Sequence, residues 1–107
     1  MLMKKTTIGL LALCALLQAG AAEAKWLTDL PKAQAQAKKE NKQVLMDFTG
    51  SDWCGWCIKF NKEVLSTPEF VAYAAKNLVL VEVDFPRKKE QSAELKKANK
   101  ALGIKYK

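Results

Sequence analysis

Two cysteines three positions apart, Cys54 and Cys57, stand inside the segment "DFTGSDWCGWCIK" that runs from Asp47 to Lys59. Thiols so close can hold a metal, staple the chain or exchange electrons. A closed zinc site takes four ligands, usually Cys or His. This chain has no histidine and three cysteines, one of them the distant Cys14, so one chain cannot complete such a site. A structural bridge stabilises by restricting the unfolded chain, and more so as its loop lengthens. A loop holding only Gly55 and Trp56 restricts very little. Electron exchange accounts for the spacing. Residues three apart on a helix have Cα atoms about 5 Å apart, inside the range a disulfide accepts. The bond can then form and break with little backbone movement.

Position matters as much as spacing. Cys54 falls where a helix should begin, facing unpaired backbone N–H groups and the positive end of the helix dipole. Both favour thiolate, the attacking species in disulfide exchange, and lower a cysteine pKa below its ordinary value of about 8.5. Cys57 shares a helical face with Phe60 and Val64, which predicts a more sheltered thiol that stays protonated longer. Asp47 interrupts the apolar run "VLMDF". A carboxylate buried there is costly and its pKa rises. It either serves as a proton acceptor behind Cys57, or points outward or caps the next turn.

The elements that must position these residues alternate between helix and strand. Asp29 caps a helix with Pro31 in its first turn, extending to about Asn41 with Leu30, Ala33 and Ala37 along one face. "QVLMDF" (43–48) suits a buried strand. "TGSD" turns the chain into a helix from about Cys54 to Leu65. Ser66 or Thr67, with Pro68 and Glu69, opens a short helix ending near Asn77. "LVLVEVDF" (78–85) has the near-continuous β-branched character of a strand covered on both faces, and Pro86 stops it. "SAELKKANKAL" forms a last helix with Gly103 as its C-cap. Strands 43–48 and 78–85 with helix between them make a βαβ unit of parallel strands. The cysteines lie at the C-terminal edge of its first strand, where open α/β sheets place their working groups.

The chain has 107 residues, enough for one domain, and a formal net charge of +7. Lys4 and Lys5, the apolar run from Ile8 to Leu17, and "QAGAAEA" form the pattern of a secretory signal peptide over residues 1–24, cleaved after Ala24. Cys14 lies within that apolar run, and Gln18 and Glu23 keep the segment too short for a membrane anchor. Without Lys4, Lys5 and Glu23, residues 25–107 retain 16 Lys/Arg and 10 Asp/Glu. The cations are interleaved with acids, as on solvated helix faces, so no nucleic-acid partner is expected. Outside the cytosol a thiol pair can persist as a disulfide, and after cleavage Cys54 and Cys57 can pair only with each other within one chain.

The segment "VLMDFTGSDWCGWCIK" resembles the active site of the thioredoxin superfamily: an apolar strand carrying Asp, an aromatic residue, a turn, then Trp-Cys-Gly-X-Cys. It is similar to exported bacterial thioredoxin-like proteins whose site reads "FTGSDWCGWC". The resemblance spans about 25–107 and implies an α/β thioredoxin-like domain around a βαβ core. It makes Cys54 the nucleophile, Cys57 the resolving cysteine and Asp47 the buried acid, and it places Trp53, Gly55 and Trp56 against the substrate. It implies thiol–disulfide exchange with protein thiols and disulfides in an extracytoplasmic compartment, together with a redox partner. No cofactor or metal is needed, because the dithiol stores the two electrons. Three departures stand out. The turn before Cys54 is one residue longer than in thioredoxin. Trp56 replaces a proline, which leaves reductase, oxidase and isomerase open. The prolines are Pro31, Pro68 and Pro86, so the strand led by a cis-proline and the hairpin and helix that complete the family fold are expected to be missing. A thioredoxin-like module that binds a partner without catalysis is the alternative.

Overall fold

The computed structural model describes residues 23–107. The expected signal peptide therefore lies outside the described residues apart from Glu23 and Ala24. Short polar side chains set the helix starts. Asp29 accepts from the Lys32 amide at 3.0 Å and opens α1 (Leu30–Glu40). Asn41 ends it in the left-handed conformation, at φ 55°, which a short polar side chain tolerates better than most. Thr67 caps α3 (Pro68–Asn77), and Ser92 caps α4 (Ala93–Lys105). Between strand β2 (Gln43–Thr49) and α3, the chain forms α2 (Gly55–Phe60) and continues through a π-helical turn over Asn61–Leu65.

Among the described residues, three parallel strands form the sheet in the order β1 (Trp26–Leu27), β3 (Leu78–Asp84), β2. β3 is central, which explains its apolar run: Val79, Leu80, Val81 and Val83 are all buried. Val79, Val81 and Val83 pack with Ala33 and Ala37 of α1. Alanine at both positions lets the helix backbone approach the sheet closely. Val44, Met46, Phe85 and Leu102 extend this layer. Alternation along the strands sends Leu45, Asp47 and Thr49, with Leu80, Glu82 and Asp84, to the opposite face.

The structure corrects three expectations. β2, read from its apolar run as a buried strand, is a half-exposed edge strand among the described residues, the position expected for it without the cis-proline strand of the family fold. Strand β1 has no counterpart in the sequence reading, since two residues are too few to show a period. Gly103 is not a C-cap. The helix runs through it to Lys105, and no glycine takes a positive φ among the described residues. Gly103 instead faces Phe85: a Cβ there would stand 3.2 Å from the ring's Cζ. The glycine serves close helix-to-sheet approach, not chain reversal.

Candidate active site

The turn from Gly50 to Trp53 carries the chain from β2 into α2, and it is fastened to the end of β3. The Gly50 carbonyl accepts from the amides of Trp53 at 3.1 Å and Cys54 at 2.8 Å, and Phe85 N–H donates to the Thr49 carbonyl at 2.8 Å. Ser51 donates to the buried Asp84 carboxylate through its amide (2.9 Å) and its hydroxyl (2.5 Å). Burial works against the Asp84 charge, but these bonds and Lys89 Nζ at 3.2 Å outweigh it and hold its pKa below the ordinary value. Asp52 accepts from three consecutive amides, Arg87 (2.9 Å), Lys88 (2.8 Å) and Lys89 (2.7 Å). These bonds, led by that from Arg87, lower its pKa to about 2. Trp53 donates from Nε1 to the Phe85 carbonyl at 2.6 Å, and the Arg87 guanidinium lies 3.8 Å from the centre of its ring. Gly50 is buried under that indole.

Cys54 is the N-cap of α2, with φ −84° and ψ 99°. Its Sγ accepts from the Cys57 amide at 3.2 Å, so the sulfur sits where a helix offers an unpaired N–H. Cys54 and Cys57 are joined as a disulfide with Cα atoms 5.2 Å apart, close to the separation anticipated from helical spacing. The expected shelter of Cys57 is not provided as predicted. Phe60 and Val64 are 48% and 40% exposed, because no described element packs over that face. Past Phe60 the π-helical turn, in which Ser66 N–H reaches the Asn61 carbonyl at 2.9 Å, changes the helical period. Leu65 becomes the buried residue there. Both cysteines are half-buried. Gly55 has open space around it, and Trp56 is 81% exposed with Lys59 Nζ 5.5 Å from its ring.

Asp47 neither points away from the sheet's working face nor caps the turn. It lines a cavity of about 240 Å³ with Cys57, Thr49, Ser51, Ile58, Asn61 and Glu82. Burial first, and the Asp84 charge second, raise its pKa. Glu82, its registered neighbour on β3, is also raised, mainly by burial. Asp47 and Cys57 were marked by their sequence context. Ser51, Asp52, Glu82 and Asp84 were not. Glu82 and Asp84 do interrupt "LVLVEVDF" as Asp47 interrupts its own strand, and that was the signal available. The partners of Ser51 and Asp52 are more than 30 positions away. Among the described residues, no cluster of His, Cys, Asp or Glu could hold a metal ion, and no helix is long and apolar enough to cross a membrane.

Comparison with known proteins agrees with this geometry. The thioredoxin-like family profile matches residues 25–103. The disulfide bond reductase DsbH of Chlamydia pneumoniae is 40% identical over 87 residues, which cover 81% of this chain and 52% of DsbH. The thioredoxin-related protein DsbJ of the same organism is 37% identical over 82 residues, 77% of this chain and 24% of DsbJ. The thiol:disulfide interchange protein DsbD of Vibrio cholerae is 35% identical over 78 residues, 73% of this chain and 13% of that protein. A solved structure of a DsbH oxidoreductase superposes with a TM-score of 0.75 at 39% identity, covering 82% of this chain and 60% of the other. The chain thus spans about half the length of DsbH and less of the others. With its parallel α/β core and its cysteine pair at the β2–α2 junction, the chain belongs to the thioredoxin-like family.

Proposed function

We propose that the protein is a thiol–disulfide oxidoreductase that exchanges disulfides with other proteins outside the cytoplasm. The carrying observation is the Cys54–Cys57 bond at the start of α2, with Cys54 Sγ already accepting a helix N–H. In the reducing direction, Cys54 thiolate attacks one sulfur of a substrate disulfide. The substrate S–S bond breaks, a Cys54–substrate bond forms, and the released substrate thiolate takes a proton from solvent. Cys57 then gives its proton to the carboxylate pocket that holds Asp47, and its thiolate attacks Cys54 Sγ. The second substrate thiolate leaves. Two electrons have passed to the substrate, and the Cys54–Cys57 disulfide has formed. An external dithiol restores it. Run in reverse, the same steps place a disulfide on a substrate.

Trp53, Gly55 and Trp56 form the substrate-facing rim in this reading. The exposure of Trp56 and the open space at Gly55 support it. The leader pattern in residues 1–24 supports an exported domain over 25–107, and the names of the relatives support protein thiols as partners. Insulin reduction with a thiol donor tests the proposal. The wild-type chain turns over and Cys54→Ser does not. Equal rates for the two, or no turnover by the wild type, would reduce the protein to a binding module.

A further inference from the structure

Glu82 has no part in the family resemblance, and among the described residues it makes no hydrogen bond or ion pair that explains it. The parallel register pairs Asp47 with Glu82 and Thr49 with Asp84. Neighbouring strands lie about 4.8 Å apart, and registered partners project to one face. Asp47 and Glu82 therefore stand side by side, and both line the cavity that Cys57 borders. No hydrogen bond stabilises the charge of either one among the described residues. Asp84, next along the same face, differs: Ser51 and Lys89 satisfy it.

We infer that Asp47 and Glu82 act as one carboxyl pair that shares a single proton, with Glu82 supplying the second half of the base that receives the Cys57 proton. This rests on the exchange reading above and names a group it lacked. The physical reason is mutual repulsion. Two carboxylates in a half-buried setting resist double ionisation, so the pair binds its first proton more tightly than either would alone. A tighter proton acceptor is a better match to a thiol, whose ordinary pKa is about 8.5.

The surroundings of Glu82 favour this. Asp47 faces it from β2, Asp84 from its own strand, Cys57 from α2, and Lys89 and Glu90 from the segment after β3. Thr28 and Ser92, on the β1 and α4 sides, bring no charge. Burial first and Asp84 second raise the pKa of Glu82, Lys89 lowers it, and Asp47 adds a smaller rise than Lys89 removes. Glu82 also lines a second recess of about 330 Å³ with Lys89, Glu90 and Ser92, which Cys57 does not line. A proton accepted at the cysteine side thus has an exit on the other side of the same carboxyl group.

The test follows the second chemical step by itself. Reduced full-length protein is loaded at Cys54 with thionitrobenzoate, and release of the coloured thiol by Cys57 is timed by stopped flow from pH 4 to 9. Formation of the mixed disulfide is timed separately. Glu82→Gln should slow release near pH 7 by about tenfold, less than the roughly 10²–10⁴-fold that a whole general base supplies because Asp47 remains, and move the acid limb of the profile to lower pH. Asp47→Asn should act in the same direction. The double variant should fall short of the product of the two single losses, as coupled groups do. Carboxyl-carbon NMR titration of the wild type should show each of the two residues titrating in two steps. Wild-type release by Glu82→Gln while Asp47→Asn is slow, or simple one-step curves for both residues, would overturn the pair and leave the exchange reading intact. No release by the wild type would remove both.

Discussion

Replacing Gly50 by alanine tests how the site is held. No glycine has a positive φ among the described residues, so the backbone at Gly50 accepts alanine without strain. The obstacle is the Trp53 indole, three of whose atoms would lie closer than 3.0 Å to the new Cβ. The ring must move, which breaks its 2.6 Å bond to the Phe85 carbonyl and its stack with Arg87. Losing the hydrogen bond costs about 1 kcal/mol, the cation–π contact about 0.5–1, and residual crowding about 1–3. The total is about 2.5–5 kcal/mol, against roughly 4–13 kcal/mol for a domain of about 85 residues. A domain of this size loses about 4–8 °C of Tm per kcal/mol, so a fall of about 10–40 °C is expected. Melting followed by circular dichroism measures it, and the Trp53 indole N–H resonance reports the ring. The exchange rate at Cys54 should fall too, because the Gly50 carbonyl orients the Cys54 amide. A melt within about 3 °C of the wild type, with the indole resonance unmoved, would refute the view that this packing holds the turn.

Asp47→Asn should leave stability near neutral pH equal or higher, because the folded state raises the pKa of this carboxyl and ionising it there is unfavourable. Urea titration checks this, and a clear loss would place Asp47 in a structural role. Asp52 has the opposite sign. Its folded pKa of about 2 lies below the ordinary 3.8, so its contribution is present above about pH 4 and is lost as pH falls toward 2. Asp52→Asn should flatten the acid limb of stability against pH, and a limb unchanged by the substitution would assign acid sensitivity elsewhere. Gly103→Ala should change stability by less than about 1 kcal/mol, since the helix-propensity gain offsets the 3.2 Å approach to Phe85. A larger loss, read by urea titration, would show that Phe85 cannot yield.

Legibility in the sequence followed the range of the interaction. Asp29 and Thr67 act on amides three positions ahead, so their caps could be read directly. The cysteine pair and its place at a strand-to-helix junction were equally local, as was the apolar run of β3. What could not be read depended on partners far along the chain. Gly103 looked like a helix terminator because Phe85, which it accommodates, is 18 positions earlier. The exposure of Phe60 and Val64 depends on which elements cover α2, and helical periodicity carries no information about that. The apolar composition of β2 taken alone suggested burial, while its edge position follows from strand order, which only the family resemblance indicated. The carboxylates were read one at a time, and only the strand register showed that two of them are adjacent.

The four acids near the cysteines divide by how their charge is satisfied, and that division suggests how the site works. Asp52 and Asp84 each collect several donors, which stabilise the ionised form and fasten the 50–53 turn and the segment after β3 to one another. Their pKa values fall, so they stay charged through the range in which thiols exchange. Asp47 and Glu82 collect no donors among the described residues, and their pKa values rise. A group held firmly in one ionisation state can set geometry but cannot carry a proton at working pH. A group without donors contributes little to geometry but gains and loses a proton easily. Because Asp84 raises the pKa of both Asp47 and Glu82 while it anchors Ser51, one buried carboxylate links the two roles. Asp84→Asn should therefore loosen the turn and weaken the base together. Ser51→Ala should affect mainly the turn, and comparing release rates with melting temperatures across the two variants separates the effects. Equal losses of both quantities in both variants would mean that the Asp84 charge itself has no influence on Asp47 and Glu82.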